Sequence, residues 1–198
     1  MNRGSHVFAC FIDFKKAFDY VNYWKLFTKL LQDNTNSNIV GMLAYWYSHQ
    51  ELCVRWISSV SGFFMASNGT RQGGILSPIL FCRYIRDLGL LHDIAQAGIG
   101  CNIGGVFINI LAYADDIVLL APSWRAMQDL LVILERHTVK IDMKCNENKT
   151  VCMVFQPKRR SQIVSMSFPP LTLCNFCVKY VVTFKYLGHN IFRQEGQL

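Results

Sequence analysis

Two adjacent carboxylates, Asp115 and Asp116, interrupt an otherwise apolar stretch. The runs 106–112 and 117–121 flank them, each long enough for a strand and too apolar to lie open to water. Burying such a pair without a partner is costly, so something cationic must neutralise it. A hairpin carrying both Asp in its tight turn would present them at the sheet edge, ready for a divalent metal. The plain alternative is that they are turn residues, a setting Asp favours. A third carboxylate shifts the balance. Residues 7–12 form another buried-strand run, and that run ends on Asp13. Two such strands side by side would converge Asp13 with Asp115 and Asp116.

Convergent carboxylates suit phosphoryl transfer. Two Mg²⁺ ions about 3.5–4 Å apart can stabilise the attacking and leaving oxygens together. Mg²⁺ prefers oxygen ligands and takes only a few carboxylates, leaving substrate phosphates to complete its shell.

The elements needed to hold these residues are also legible. Phe18, Val21, Trp24, Phe27 and Leu31 recur at helical spacing, predicting a helix that ends near Asp33-Asn34. Asn36-Ser37 can cap a second helix carrying Ile39, Val40, Leu43 and Trp46-Tyr47. Strands are expected at 52–56 and 62–65. Ser77-Pro78 predicts a helix start, with Ser as cap, running to about Gln96. The stretch 98–105 reads as a flexible connection. Pro122-Ser123 opens a helix with Trp124, Met127, Leu131, Leu134 and Ile141 on one face. Strands follow near 150–155 and 162–167, then a Pro169-Pro170 turn, then strands over 171–178 and 180–186. Strand and helix patterns thus alternate along the chain. No internal repeat or linker divides residues 1–198, so one domain is expected.

Five segments, in order, resemble the palm motifs of reverse transcriptases from non-LTR (LINE-like) retrotransposons. They are Phe11-Ile12-Asp13-Phe14-Lys15-Lys16-Ala17-Phe18-Asp19; Asn68-Gly69-Thr70-Arg71-Gln72-Gly73-Gly74-Ile75-Leu76-Ser77-Pro78; Leu111-Ala112-Tyr113-Ala114-Asp115-Asp116; Asn146-Glu147-Asn148-Lys149-Thr150; and Phe184-Lys185-Tyr186-Leu187-Gly188. Tyr-Ala-Asp-Asp alone would be a weak signal; five motifs in sequence are a strong one.

The resemblance implies an RNA-directed DNA polymerase palm, α+β in class with an antiparallel sheet packed on helices, with RNA template, DNA primer and deoxynucleotides as partners and two Mg²⁺ as cofactors, Mn²⁺ being an alternative. Asp13 and Asp115 would ligate both metals, with the Phe14 carbonyl as a further ligand and Asp116 as a weaker ligand or electrostatic neighbour. The backbone N–H groups of Lys16 and Ala17 would meet the triphosphate, and Phe18 would lie beneath the incoming sugar. Gln72 and Gly73 would line the nucleotide pocket, where glycine lets substrate approach the backbone. Lys149 would protonate the pyrophosphate leaving group; the competing reading is a surface lysine at a helix–strand junction. Tyr186, Leu187 and Gly188 would grip the primer end, with Tyr113 near its terminus. Few residues precede the first motif, so the family's fingers, and its thumb, are expected to be largely missing. Arg86 departs from the acidic or small polar residue usual there.

Other classes remain alongside this one. A catalytically inactive relic would bind nucleic acid weakly through its basic surface. Group II intron reverse transcriptases share Tyr-Ala-Asp-Asp, but Lys16-Ala17-Phe18-Asp19 favours the non-LTR type. Viral RNA-dependent RNA polymerases commonly place Gly where Ala114 stands.

Composition agrees. The chain of 198 residues is 52% hydrophobic and 17% charged, and its net charge of +7 suits a polyanionic partner. No apolar run reaches the ~18 residues of a membrane span, and the short run after His6 ends in Asp13, which argues against a signal peptide. Eight scattered Cys read as reduced thiols of a nuclear or cytoplasmic protein. Cys174 and Cys177 form the closest pair, and without a second pair they read as strand thiols rather than a zinc site. The five His form no cluster and read as surface or structural. Lys158-Arg159-Arg160 reads as a solvated loop, with phosphate contact as the alternative.

Overall fold

A computed structural model describes residues 6–71, 73–86, 89–156 and 167–192. Its centre is a six-stranded sheet in the order β11-β12-β10-β1-β9-β8. The strands are β1 (Val7–Ile12), β8 (Ile110–Tyr113), β9 (Asp116–Ala121), β10 (Val151–Phe155), β11 (Leu171–Leu173) and β12 (Phe176–Tyr180). All neighbours run antiparallel except β10 and β12, which are parallel.

Alternation sorts the sheet residues into two layers, as a pleat requires. Phe8, Cys10 and Ile12 of β1, with Ile117, Leu119 and Ala121 of β9, join the main core under the helices. Those helices are α1 (Tyr23–Gln32), α2 (Ser37–Ser48), α3 (Ser77–Arg86), α4 (Leu90–Gln96) and α5 (Trp124–Lys140). Ala9, Phe11, Val118 and Leu120 point to the other face and build a second, smaller cluster. The hairpin of β13 (Thr183–Tyr186) and β14 (His189–Phe192) covers that cluster with Phe184, Tyr186 and Ile191. The architecture is therefore α+β. Among the described residues no helix is long and apolar enough to cross a membrane.

Several expected boundaries shift, each for a local reason. The first helix starts at Tyr23, not Phe18. Lys16, at φ 47°, turns the chain, and Asn22 caps the helix by accepting the Lys25 N–H at 3.1 Å. The buried stripe accordingly becomes Tyr23, Leu26, Phe27 and Leu30, leaving Trp24 and Leu31 exposed. In α2, Val40, Leu43 and Tyr47 are buried, but Ile39 and Trp46 face outward. Ser77 is the first residue of α3 rather than its cap, its hydroxyl donating back to the Arg71 carbonyl.

The predicted helix to Gln96 is two helices, broken where Gly89 adopts φ 65° before α4. The expected connection at 98–105 contains β6 (Cys101–Ile103), which pairs with β7 (Val106–Ile108). The predicted strand 106–112 breaks at Asn109, whose buried amide donates to the Ile94 carbonyl at 2.6 Å. Only the part after it joins the central sheet. The expected strand at 52–56 splits into β2 (Glu51–Leu52) and β3 (Arg55–Trp56), which pair with β5 (Phe64–Met65) and β4 (Ser59–Val60) respectively. The run 171–178 folds back on itself because Cys174 and Asn175 both take positive φ. The run 180–186 likewise divides between the end of β12 and β13. Most of the expected strand 162–167, and Lys158-Arg159-Arg160, lie outside the described residues.

All eight cysteines are free thiols, and Cys10, Cys101, Cys145 and Cys152 are buried. His137 is a structural histidine, bonded through Nε2 to Asp93 Oδ2 at 2.8 Å.

Candidate active site

The β1–β9 register decides where the carboxylates stand. Phe11 pairs with Val118 and Ile12 with Ile117. One further step sets Asp13 opposite Asp116. By alternation both belong to the face that carries Phe11 and Val118, the face covered by the β13–β14 hairpin. Tyr113 pairs with Asp116 and so shares that face. A two-residue turn joins β8 to β9, with Ala114 at φ 52° and Asp115 as its central residues.

Asp13 is the more tightly held carboxylate. Its backbone N–H donates to the Thr150 hydroxyl at 3.3 Å, and its carbonyl accepts from the Asn146 N–H at 2.7 Å. The Asn146 side chain donates to Oδ2 at 2.9 Å, and Lys149 Nζ lies 3.7 Å from Oδ1. Phe14 bridges Cys145, but the hydrogen bonds of that bridge come from Asp13 and Lys15, whose N–H reaches the Lys144 carbonyl at 2.8 Å. The Phe14 carbonyl takes no part in it, as befits the non-hydrogen-bonded position of an antiparallel pair.

Asp116 is electrostatically crowded. Partial burial pushes its carboxyl above the usual aspartate range; the Asp115 and Asp13 carboxylates push the same way, and Lys149 opposes them. Burial, then the Asp116 charge, raises the Tyr186 phenol.

A cavity of about 460 Å³ opens here, lined by Asp13, Asp116, Lys149 and Tyr186, among others. Phe11 anchors its far wall: its ring lies 4.7 Å from Phe184 and 5.3 Å from Tyr186. Leu187 also lines the cavity, and with Gly188 it forms the β13–β14 turn at φ 46° and 82°. Successive positive φ values are the geometry of a tight two-residue hairpin, whose twist matches its strands.

The structure thus brings Asp13, Asp116, Lys149, Tyr186 and Leu187 together. Asp115 and Tyr113, at the hairpin tip, do not line this cavity, nor do Phe14, Lys16, Ala17, Phe18 and Gly73. Among the described residues no three His, Cys, Asp or Glu side chains gather closely enough to hold a metal ion. The donor chemistry nevertheless fits a hard cation. Every candidate ligand is an oxygen, and a divalent ion would relieve the carboxylate repulsion that adds to burial in raising the Asp116 carboxyl.

The expected nucleotide-binding residues lie on the loop after Asp13. No hydrogen bond among the described residues occupies the N–H of Lys16 or Ala17. Ala17 is buried, and the half-buried Phe18 ring stacks on Phe81 of α3 at 4.5 Å. The second motif is bonded to this loop: the Thr70 N–H reaches the Phe18 carbonyl at 2.7 Å, and the Gly69 N–H reaches Val21 at 2.8 Å. Gly73 has φ 81° and open space where a Cβ would project. Gln72 and the Arg86 side chain lie outside the described residues.

Three contributors escaped sequence reasoning. Asn146 and Thr150 position Asp13. Gly69 is compulsory, because a Cβ there would stand 2.9 Å from the Asp19 Cα. Their places within motifs were visible; their partners, far along the chain, were not.

Comparison with known proteins adds independent support. A family model described as reverse transcriptase (RNA-dependent DNA polymerase) matches residues 1–191. The chain is similar to the Retrovirus-related Pol polyprotein from type-2 retrotransposable element R2DM of Drosophila melanogaster. Identity is 29% over 199 residues, covering 98% of this chain and 18% of that polyprotein. It is also similar to the probable RNA-directed DNA polymerase from transposon X-element of the same fly, at 25% identity, covering 91% of this chain and 19% of that one. The chain thus spans about a fifth of the length of these relatives. Among solved structures, apo telomerase from Candida tropicalis, truncated from its C-terminal domain, aligns with a TM-score of 0.58 at 14% identity. That alignment covers 96% of this chain and 34% of the telomerase, a likeness of fold.

Proposed function

Because the chain belongs to the reverse transcriptase (RNA-dependent DNA polymerase) family, we propose that it is the palm of a retrotransposon polymerase that joins deoxynucleotides to a DNA primer on an RNA template. The observation that carries this reading is the placement of Asp13 opposite Asp116, with Lys149 beside them. Asp13, Asp115, Asp116 and the Phe14 carbonyl would hold two Mg²⁺, or Mn²⁺, whose chemistry there would be to lower the pKa of the primer 3′-hydroxyl and to neutralise triphosphate charge.

The remaining roles belong to the chain's own groups. Asn146 and Thr150 fix Asp13 so that little reorganisation is needed when substrate arrives. Lys149, mostly exposed and ion-paired with Asp13, gives a proton to the departing pyrophosphate. The amides of Lys16 and Ala17 receive triphosphate oxygens. Phe18, braced by Phe81, sets the floor under the sugar. Gln72 and Gly73 line the nucleotide pocket. Tyr186, Leu187 and Gly188 hold the primer end against the cavity wall, with Tyr113 at its terminus.

Primer extension tests the assignment. Residues 6–192 are grafted over the matching segment of the R2DM polyprotein, and extension is measured on an RNA template. The graft should make DNA, and Asp13→Asn or Asp115→Asn should reduce synthesis at least about 10³-fold while template binding survives. Synthesis within a few-fold of the parent in either variant would refute the assignment.

A further inference from the structure

Two thiols that nucleotidyl transfer does not use stand behind the Asp13 segment. Cys145 is buried and bridges Phe14; its neighbour Asn146 clamps Asp13. Cys174 is half-buried at the turn between β11 and β12. Its φ of 46° and that of Asn175, 69°, fix where that residue stands. Both cysteines line one cavity of about 540 Å³, walled by Glu135 and Thr138 of α5 and by Lys15 and Lys144. Interaction with Cys145, helped by Thr138, lowers the Cys174 thiol to about 7 against its burial and the Glu135 charge. A thiol titrating near ambient pH with access to solvent is the nucleophile favoured in disulfide exchange.

We propose that Cys145 and Cys174 form a redox-sensing dithiol, closed to an intramolecular disulfide by a low-molecular-weight disulfide such as oxidised glutathione. The Cys174 thiolate attacks one sulfur of the oxidant, forming a mixed disulfide and releasing one thiolate. Cys145 then attacks the Cys174 sulfur, losing its proton to solvent and releasing the second. The chain gives up two electrons and two protons, and the oxidant becomes two thiols. The new bond ties the β11–β12 turn to the strand segment beside Asp13, which couples thiol redox state to the catalytic loop.

Another pair supplies an internal control. Cys10 and Cys152 face each other across β1 and β10 and also interact, but both are fully buried in the sheet. Cys53, Cys82 and Cys177 are exposed and isolate the effect of mere accessibility.

The test uses the whole folded chain, fully reduced and then exposed to oxidised glutathione, with free thiols alkylated and peptides mapped by mass spectrometry. The expected product is a Cys145–Cys174 link that dominates every other linkage, spares Cys10 and Cys152 and reverses with dithiothreitol. In Cys145→Ser, Cys174 should instead stop at one glutathionyl adduct. The proposal is overturned if the unaltered chain leaves Cys174 as that adduct, if another pair becomes the main link, or if Cys174 stays reduced while Cys177 reacts.

Discussion

Asp116 faces Asp13 across β1 and β9, one register step beyond Ile12 and Ile117, and among the described residues the opposite charge nearest to Asp13 is Lys149 at 3.7 Å. Burial and the neighbouring carboxylates hold the Asp116 carboxyl above its ordinary range. A carboxyl raised in the fold contributes stability below its unfolded value, about 3.9, and loses it as pH rises through the folded value. At pH 7 the ionised group is therefore a liability. In metal-free buffer Asp116→Asn should melt at a higher temperature than the parent at pH 7. The gap should shrink as pH falls toward about 4. A lower melting temperature at pH 7 would mean that the crowding is not felt.

Two glycines of the second motif separate steric from conformational demand. Gly69 has φ 91° and no room for a Cβ, which would meet the Asp19 Cα and carbonyl at 2.9 Å. Gly69→Ala should destabilise the chain by about 2 kcal/mol or more, as clash and left-handed strain combine. Gly73, at φ 81°, has nothing within 4 Å, so Gly73→Ala should carry only the left-handed penalty, about 1 kcal/mol. Urea titration ranks the two, and equal losses would contradict the contact between the first and second motifs.

A sugar-selection assay distinguishes the two roles proposed for Phe18. Its ring stacks on Phe81, so trimming it loosens the core, yet it stands on the loop assigned to the nucleotide. In the grafted polymerase, Phe18→Val should raise ribonucleotide use relative to deoxynucleotide use at least about tenfold and lower catalytic efficiency. An unchanged ratio with lowered stability would make Phe18 a core residue only.

Much of this was legible in the sequence because polar residues sat where the pattern demanded apolar ones. Asp13 ends an apolar run and Asp115 and Asp116 split another, and strand alternation, once the β1–β9 register is known, sets the face that Asp13 and Asp116 share. The helix boundaries were harder. Trp24 and Leu31 satisfy a helical period from Phe18, but Lys16 turns the chain and Asn22 restarts the count, which moves the buried stripe to Tyr23, Leu26, Phe27 and Leu30. The break at Asn109 depends on a partner, Ile94, that periodicity cannot reveal. The same holds for Asn146, whose role follows from a contact with Asp13 across 133 positions. Tertiary partners, not local propensity, made those decisions.

The proposed divalent-cation site joins Asp13 and Asp116, with Lys149 as the cation beside them. Titration of the chain with Mn²⁺, followed by electron paramagnetic resonance of the free ion, measures this directly. Saturable binding is expected, weakened at least about tenfold in Asp13→Asn and in Asp116→Asn and tightened in Lys149→Met as the competing charge is removed. Mn²⁺ affinity equal to the parent's in both aspartate variants would contradict it.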